Sequence, residues 1–229
     1  MTDLRLKNFT VVFDLDGTLV DTAPDLIGAT NHVLARVGLT PRPGEELRPW
    51  ISFGARRMIE EALSQSGRSL TSNEVDELLE LFLDHYESNI AHGSRPFPYV
   101  VDQMLALTQA GSRLGICTNK REALTMKLLD ALDLTAHFQA IVGRDTLAVS
   151  KPHPEHLLET IRRAGGDPTR AIMVGDSGVD VATARAARVP VIGVSFGYSE
   201  TPISVLEPDL VLDDYGRLTE AVAALAGRL

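Results

Sequence analysis

Cysteine is almost absent from this chain, because Cys117 is the only one among 229 residues. One cysteine excludes a disulfide bond within the chain. No stretch comes near the roughly 18 consecutive apolar residues that a membrane-spanning helix needs. The first residues also lack the apolar core of a secretory signal. These absences predict a cytoplasmic protein with no membrane partner.

Positive charge is also scarce. The chain has 22 lysine and arginine residues but 31 aspartate and glutamate residues, so its formal net charge is -9. Such a chain does not attract nucleic acid through its overall field, so we expect no nucleic-acid partner. A small anion can still bind at a local cationic site, because charge is screened over about 8 Å at physiological ionic strength. Residues 22–95 contain no lysine at all.

The rest of the composition is that of an ordinary globular protein, with 44% apolar and 23% charged residues. Six apolar runs are typical of buried strands, and most of those from residue 113 onward are separated by helix-like segments. This alternation predicts an α/β fold with a Rossmann-like parallel sheet core and helices on both faces. Ligands of such sheets bind at the carboxyl ends of the strands. The runs are residues 10–13, 113–117, 140–142, 171–174, 191–194 and 210–212.

The alternation breaks between Thr22 and Arg95, where apolar residues recur at helical spacing and no strand is evident. Residues 55–65 are one predicted helix, and Thr71 with Glu74 forms a capping-box pattern at the start of another. We therefore expect an α/β core of residues 1–18 and 96–229 with an inserted helical cap domain of residues 19–95. An insert that directly follows the first strand would lie over the carboxyl end of that strand.

The sequence DLDGTL of residues 14–19 arrives directly after the first predicted strand. Alternate residues of a strand point to the same side, so Asp14 and Asp16 are expected to project together. Gly17 allows the chain to turn sharply. Two carboxylates this close repel, and one takes up a proton unless a cation lies between them. The pattern indicates a divalent metal site or an acid/base pair, and the alternative is a solvated acidic turn.

Three more chemical positions follow predicted strands or precede helices. Thr118 and Asn119 offer a hydroxyl, an amide and a turn of backbone N–H groups for a phosphate, although either could be a helix N-cap. Lys151 is held beside the sheet by the proline after it, or is a surface lysine. Asp176 could ligate a hard cation and Asp180 could assist it, although both could simply favour a helix N-terminus.

The order of these positions resembles the four-motif series of the haloacid dehalogenase-like hydrolases, and the resemblance covers essentially the whole chain. It implies that Asp14 is the phosphoryl-accepting nucleophile and that Asp16 is the general acid/base. It implies further that Thr118 and Lys151 hold the transferring phosphoryl group, with Asn119 beside them. The helical insert is similar to that family's first type of cap.

The same resemblance implies a Mg²⁺ cofactor. Its ligands would be the Asp14 and Asp176 carboxylates and the backbone carbonyl of Asp16, with Asp180 in a supporting acidic role.

Within the family, residues 14–25 and 194–198 resemble the phosphoglycolate phosphatases most. Arg48, Ser52 and Arg56 are candidates to bind a carboxylate or another polar part of the substrate. Ser52 stands about where the usual pattern has a glycine. The alternative for all three is the solvated surface of the cap.

The function expected from this resemblance is Mg²⁺-dependent hydrolysis of a small phosphorylated metabolite through an aspartyl-phosphate intermediate, by a monomer or a homodimer. A phosphosugar mutase of the same superfamily is the alternative, and it would require a phosphorylated sugar primer. A non-catalytic phosphometabolite-binding relative is another. A phosphonate hydrolase would need a Schiff-base lysine in the cap, which the lysine-free stretch of residues 22–95 excludes.

Overall fold

The computed structural model describes residues 6–228. Its main sheet contains six parallel strands, in the spatial order of residues 140–142, 113–117, 10–13, 171–175, 191–194 and 210–212. All six predicted strands are confirmed, as is the α/β class. The strands are β1 (Thr10–Phe13), β4 (Arg113–Cys117), β5 (Ala140–Val142), β6 (Ala171–Gly175), β7 (Val191–Val194) and β8 (Leu210–Leu212), and a small second sheet pairs β2 (Val20–Asp21) with β3 (Arg95–Pro96).

Alternate strand residues point to opposite sides of the main sheet, and consecutive residues of its central strands are buried. Helices therefore cover both faces of the sheet. Val11 and Phe13 belong to an apolar cluster with residues of the helices at 100–109, 122–131 and 218–226, whereas Val12 belongs to a second cluster with the helices at 154–163 and 178–187. The helices are α1 (Ala23–Arg36), α2 (Gly44–Leu47), α3 (Ala55–Gln65), α4 (Ser72–Ser88), α5 (Val100–Gln109), α6 (Glu122–Ala131), α7 (Pro154–Arg163), α8 (Gly178–Ala187) and α9 (Leu218–Ala226).

The first four helices form a unit with its own apolar cluster, which we call the helical unit (residues 23–88). Helix α1 packs against α3 and α4. The capping box at Thr71 and Glu74 is confirmed, and so is the helix predicted at residues 55–65. The division of the chain into a core and a cap domain stays a prediction, and residues 1–5 and 229 of that division lie outside the described residues.

Strand β1 is central and has β4 and β6 as its neighbours. The carboxyl ends of these three strands therefore meet at one edge of the sheet, where Asp14, Thr118 and Asp176 follow directly. Short antiparallel strands β2 and β3 lie where the chain enters and leaves the helical unit. Within the described range, no helix is long and apolar enough to cross a membrane.

A buried carboxylate ties the first helix to the segment that returns to the core. Asp25 accepts hydrogen bonds from the backbone N–H groups of Gly93 and Ser94 at 2.7 and 2.8 Å, and from the Ser94 hydroxyl at 2.6 Å. A carboxylate that accepts several hydrogen bonds in a buried position is stabilising, because its removal strands the donors without partners.

We expect Asp25→Ala to lower the free energy of unfolding by about 2–4 kcal/mol, since it leaves two backbone donors and a hydroxyl unpaired. Chemical denaturation checks the value. Glu45→Ala is the matched control on the exposed surface of the helical unit, and it should change stability by less than about 0.5 kcal/mol. Equal effects of the two substitutions would contradict this account of Asp25.

Candidate active site

Three buried carboxylates converge at the carboxyl edge of the sheet. Oxygen atoms of Asp14, Asp176 and Asp180 all lie within 4.8 Å of one another, and we call these residues the acid cluster. Burial raises the pKa of Asp14 to about 7, although Lys151 opposes the shift. Burial, and then repulsion from Asp180 and Asp14, raises the pKa of Asp176 to about 8. The cluster is costly to ionise without further positive charge.

Lys151 supplies one positive charge to the acid cluster. Its Nζ lies 2.8 Å from Asp14 Oδ1 and 2.7 Å from Asp180 Oδ1, and its side chain is almost completely buried. Burial disfavours the ammonium, but Asp14 and Asp180 outweigh this effect and raise the pKa of Lys151 above its usual range. Three ionised carboxylates and one ammonium leave two negative charges uncompensated. A divalent cation with oxygen ligands fits this charge and this donor set.

Asp180 is oriented by protein groups on both of its oxygens. Oδ2 accepts hydrogen bonds from the Ser177 backbone N–H and hydroxyl at 3.0 and 2.7 Å, in a capping box at the start of α8, while Oδ1 faces Lys151. The sequence allowed two roles for Asp180, support of a cation site or a place at a helix N-terminus. The structure shows that its carboxylate caps α8. This arrangement suits the predicted supporting role.

Asp176 lies in a cradle that only glycine can form. Its Oδ1 accepts a hydrogen bond from the Thr18 hydroxyl at 2.8 Å, and its Oδ2 accepts one from the Tyr198 backbone N–H at 2.8 Å. A Cβ at Gly197 would lie 2.2 Å from Asp176 Cβ, and one at Gly17 would lie 2.7 Å from Asp176 Oδ2. The two glycines let the backbone approach closely enough to fix the carboxylate.

Asp16 does not join the acid cluster with its side chain. Its carboxylate faces Lys120, whose Nζ lies 3.0 Å from Oδ1 and 3.3 Å from Oδ2. The sequence analysis missed Lys120 as a site residue. The available signal was its position two residues after Thr118, in the turn that follows a strand.

Thr118 and Asn119 complete the polar wall of the site. The Thr118 oxygen accepts a hydrogen bond from the Lys120 backbone N–H at 3.1 Å, which leaves its own proton available for a ligand. Asn119 donates to the Lys151 carbonyl oxygen at 3.1 Å, and its buried Oδ1 has no hydrogen-bond partner among residues 6–228. Neither residue caps the following helix, because the N-cap of α6 is Arg121.

A cavity of about 140 Å³ lies between this edge of the sheet and the helical unit. Ser52 and Arg56 line it, and the buried Ser52 hydroxyl has no partner in the described part of the chain. Arg48 is not brought to the cavity, because it pairs with Asp21 at 3.1 Å and lies over the Tyr198 ring. The lining further includes Asp14, Asp16, Thr118, Asn119, Lys120 and Lys151 from the sheet and Met58, Phe82 and Tyr86 from the helical unit.

Comparison with known proteins gives concordant matches. The family model described as haloacid dehalogenase-like hydrolase matches residues 11–194. The chain is 50% identical to the phosphoglycolate phosphatase of Mesorhizobium japonicum over 93% of this chain and 94% of that protein. It is 47% identical to the phosphoglycolate phosphatase of Agrobacterium fabrum, with 92% and 91% covered. A crystal structure described as a predicted phosphoglycolate phosphatase from Haemophilus somnus matches with a TM-score of 0.87 and 30% identity, covering 94% of this chain and 98% of that one.

We expect added MgCl₂ to raise the midpoint of thermal unfolding, because a cation that binds only the folded state stabilises it by about 2.7 kcal/mol at 100 times its Kd. In Gly197→Ala this rise should shrink strongly, because the new methyl group displaces Asp176. Thermal melts with and without MgCl₂ measure both effects.

Gly28→Ala is the matched control, since a Cβ at this position in α1 meets no atom of the described residues within 4 Å. Its MgCl₂ response should equal that of the unsubstituted protein. An undiminished response in Gly197→Ala would show that the glycine cradle does not determine cation binding.

Proposed function

Because this chain belongs to the haloacid dehalogenase-like hydrolase family, we propose that it is a Mg²⁺-dependent phosphomonoester hydrolase that works through an aspartyl-phosphate, with phosphoglycolate as its leading candidate substrate. That it is a phosphatase follows from its relatives. The observation that carries the finer proposal is the placement of Asp14. Its carboxylate lies in the acid cluster, beside the Lys151 ammonium, at the cavity wall.

In the first half-reaction, an Asp14 oxygen attacks phosphorus and forms a new P–O bond. The bond between phosphorus and the leaving oxygen breaks, and its electron pair stays on that oxygen. Asp16 then supplies the proton that the leaving oxygen needs. Lys151 and the Thr118 hydroxyl hold phosphoryl oxygens, where negative charge concentrates in the transition state.

In the second half-reaction, water hydrolyses the aspartyl-phosphate. Asp16, now a carboxylate, takes a proton from the attacking water. The new oxygen–phosphorus bond forms as the bond between Asp14 and phosphorus breaks, which returns the Asp14 carboxylate and releases inorganic phosphate. Asp16 is again protonated and ready for the next substrate.

The residues that would hold Mg²⁺ are Asp14 and Asp176, with the backbone carbonyl of Asp16. The fit rests on the two uncompensated negative charges of the acid cluster and on the glycine cradle around Asp176. A bound Mg²⁺ offsets the repulsion between the Asp14 carboxylate and the phosphate dianion. Asp180 keeps Lys151 in place through their 2.7 Å contact.

Phosphoglycolate is proposed as the substrate for two reasons. The relatives described above are named phosphoglycolate phosphatases, and the cavity is small. The Ser52 hydroxyl, which has no partner among residues 6–228, is a donor available to a substrate carboxylate. Arg56 lines the cavity but pairs with Glu60 and Asp76, so a ligand would compete with these acids for it. We assign the helical unit the role of a cap that excludes water from the reaction.

We expect Asp14→Asn to reduce phosphate release from phosphoglycolate by at least about a thousand-fold, because the amide cannot serve as the nucleophile. Asp102→Asn is the matched control on the exposed surface of α5 and should retain full activity. A steady-state phosphate assay with MgCl₂ and with EDTA measures the loss. Full activity of Asp14→Asn, or of the unsubstituted protein after removal of all divalent cations, contradicts the mechanism. Activity that appears only with a phosphorylated sugar primer would indicate a mutase.

A further inference from the structure

The two aspartates of the DLDGTL sequence are each paired with a different lysine. Asp14 faces Lys151, whereas Asp16 faces Lys120 with both of its oxygens, at 3.0 and 3.3 Å. Lys120 is one of four lysines in the whole chain. Its side chain is 6% exposed, so an ammonium has been buried where a solvated charge would cost less. A buried ammonium in this position calls for a specific function.

The Lys120 contact separates Asp16 from the acid cluster. Asp16 lies only two residues after Asp14, yet its carboxylate is not among the clustered groups. With both oxygens held by one ammonium, Asp16 cannot turn toward Asp14 without breaking an ion pair in which the Lys120 side chain is 6% and the Asp16 side chain 18% exposed. Lys120 therefore fixes which of the two aspartates belongs to the acid cluster and which faces the cavity on its own.

Tyr86 of α4 covers the other side of this ion pair. The centre of its ring lies 4.4 Å from Lys120 Nζ, within reach of a cation–π interaction, and its side chain is buried. Burial raises the pKa of the Tyr86 hydroxyl and Lys120 opposes this larger effect, so the ammonium is close to both the ring and its hydroxyl. The helical unit thus contributes the Tyr86 ring to the environment of the Lys120–Asp16 ion pair, whose two residues follow strands of the sheet.

We propose that Lys120 is a positioning residue that holds the Asp16 carboxyl group for proton transfer to the leaving oxygen. The Tyr86 ring shields the Lys120–Asp16 ion pair from water. The inference rests on the proposed function. When the P–O bond breaks and the proton passes from the Asp16 carboxyl group to the leaving oxygen, the carboxylate that remains is the form that pairs with Lys120 in this structure. Lys120 stabilises that carboxylate through a charge-assisted hydrogen bond in a site with little water.

The test compares two substrates of equal charge and similar size that differ in their leaving groups. Ethyl phosphate releases an alkoxide that needs a proton, whereas acetyl phosphate releases acetate, which needs none. The measured quantity is kcat/KM. It reports only on the steps up to and including departure of the leaving group when that departure is irreversible. The Asp14→Asn variant supplies the background of uncatalysed hydrolysis.

Lys120→Met, which keeps the length of the side chain, should lower kcat/KM for ethyl phosphate by on the order of 10–100-fold more than for acetyl phosphate. Partial unfolding or weaker anion binding would lower both values alike, so an unchanged ratio overturns the proposal while the phosphatase function stands. If the unsubstituted protein hydrolyses neither substrate nor phosphoglycolate, the proposed function itself fails. Lys127→Met is the matched control, since Lys127 is exposed and pairs with Glu87 on the surface.

Two Tyr86 variants test the contribution of the ring. Tyr86→Leu removes the ring face and should shift the substrate ratio in the same direction as Lys120→Met. Tyr86→Phe keeps the ring and should shift it less. In the double variant with Lys120→Met, the Leu substitution should add little further change, because both act on one ion pair. Equal shifts from Phe and Leu, or fully additive effects, would overturn the assignment of Tyr86.

Discussion

Burial of negative charge at the end of β1 is the constraint on which the rest of the site depends. Four aspartates gather at this edge of the sheet, with Asp14 and Asp16 at the cavity wall, and all but Asp16 are buried. Ionised carboxylates in such surroundings need paired charges and hydrogen bonds, or they take up protons. The chain meets this requirement with two buried lysines on separate carboxylates and with donors from Thr18, Ser177 and the Tyr198 backbone. The remaining negative charge is suited to a divalent cation.

The parallel sheet is what makes this arrangement of charge possible. Because β1 lies between β4 and β6, the residues after three different strands meet within a few ångströms although they are far apart in the chain. Each strand is buried on both faces and is therefore rigid, so the groups at its end need little further ordering. The close backbone approach at Gly17 and Gly197, together with the Thr18 hydroxyl and the Tyr198 backbone N–H, then fixes Asp176.

Sequence patterns were sufficient for most of the fold, and the reasons are physical. Strands buried on both sides are continuously apolar, and α3 and α4 carry a helical period, so both are visible in isolation. Strands β2 and β3 have only two residues each and exist because the two ends of the helical unit meet. The chemical side chains at strand ends were also predictable by position. The pairing of Lys120 with Asp16 was not predictable from the sequence. Asp16 is 104 residues away, and the two side chains meet only because β4 lies beside β1.

The distribution of charge divides the work between sheet and helical unit. All lysines near the cavity come from the sheet side, and residues 22–95 contain none. The helical unit contributes mainly apolar and aromatic surface to the cavity, including Met58, Phe82 and Tyr86. Such a surface supplies no charge of its own, but it removes water and so strengthens every charge that the sheet presents. In the proposed function, the sheet edge therefore carries out phosphoryl transfer, and we propose that polar residues of the helical unit such as Ser52 contribute to the choice of substrate.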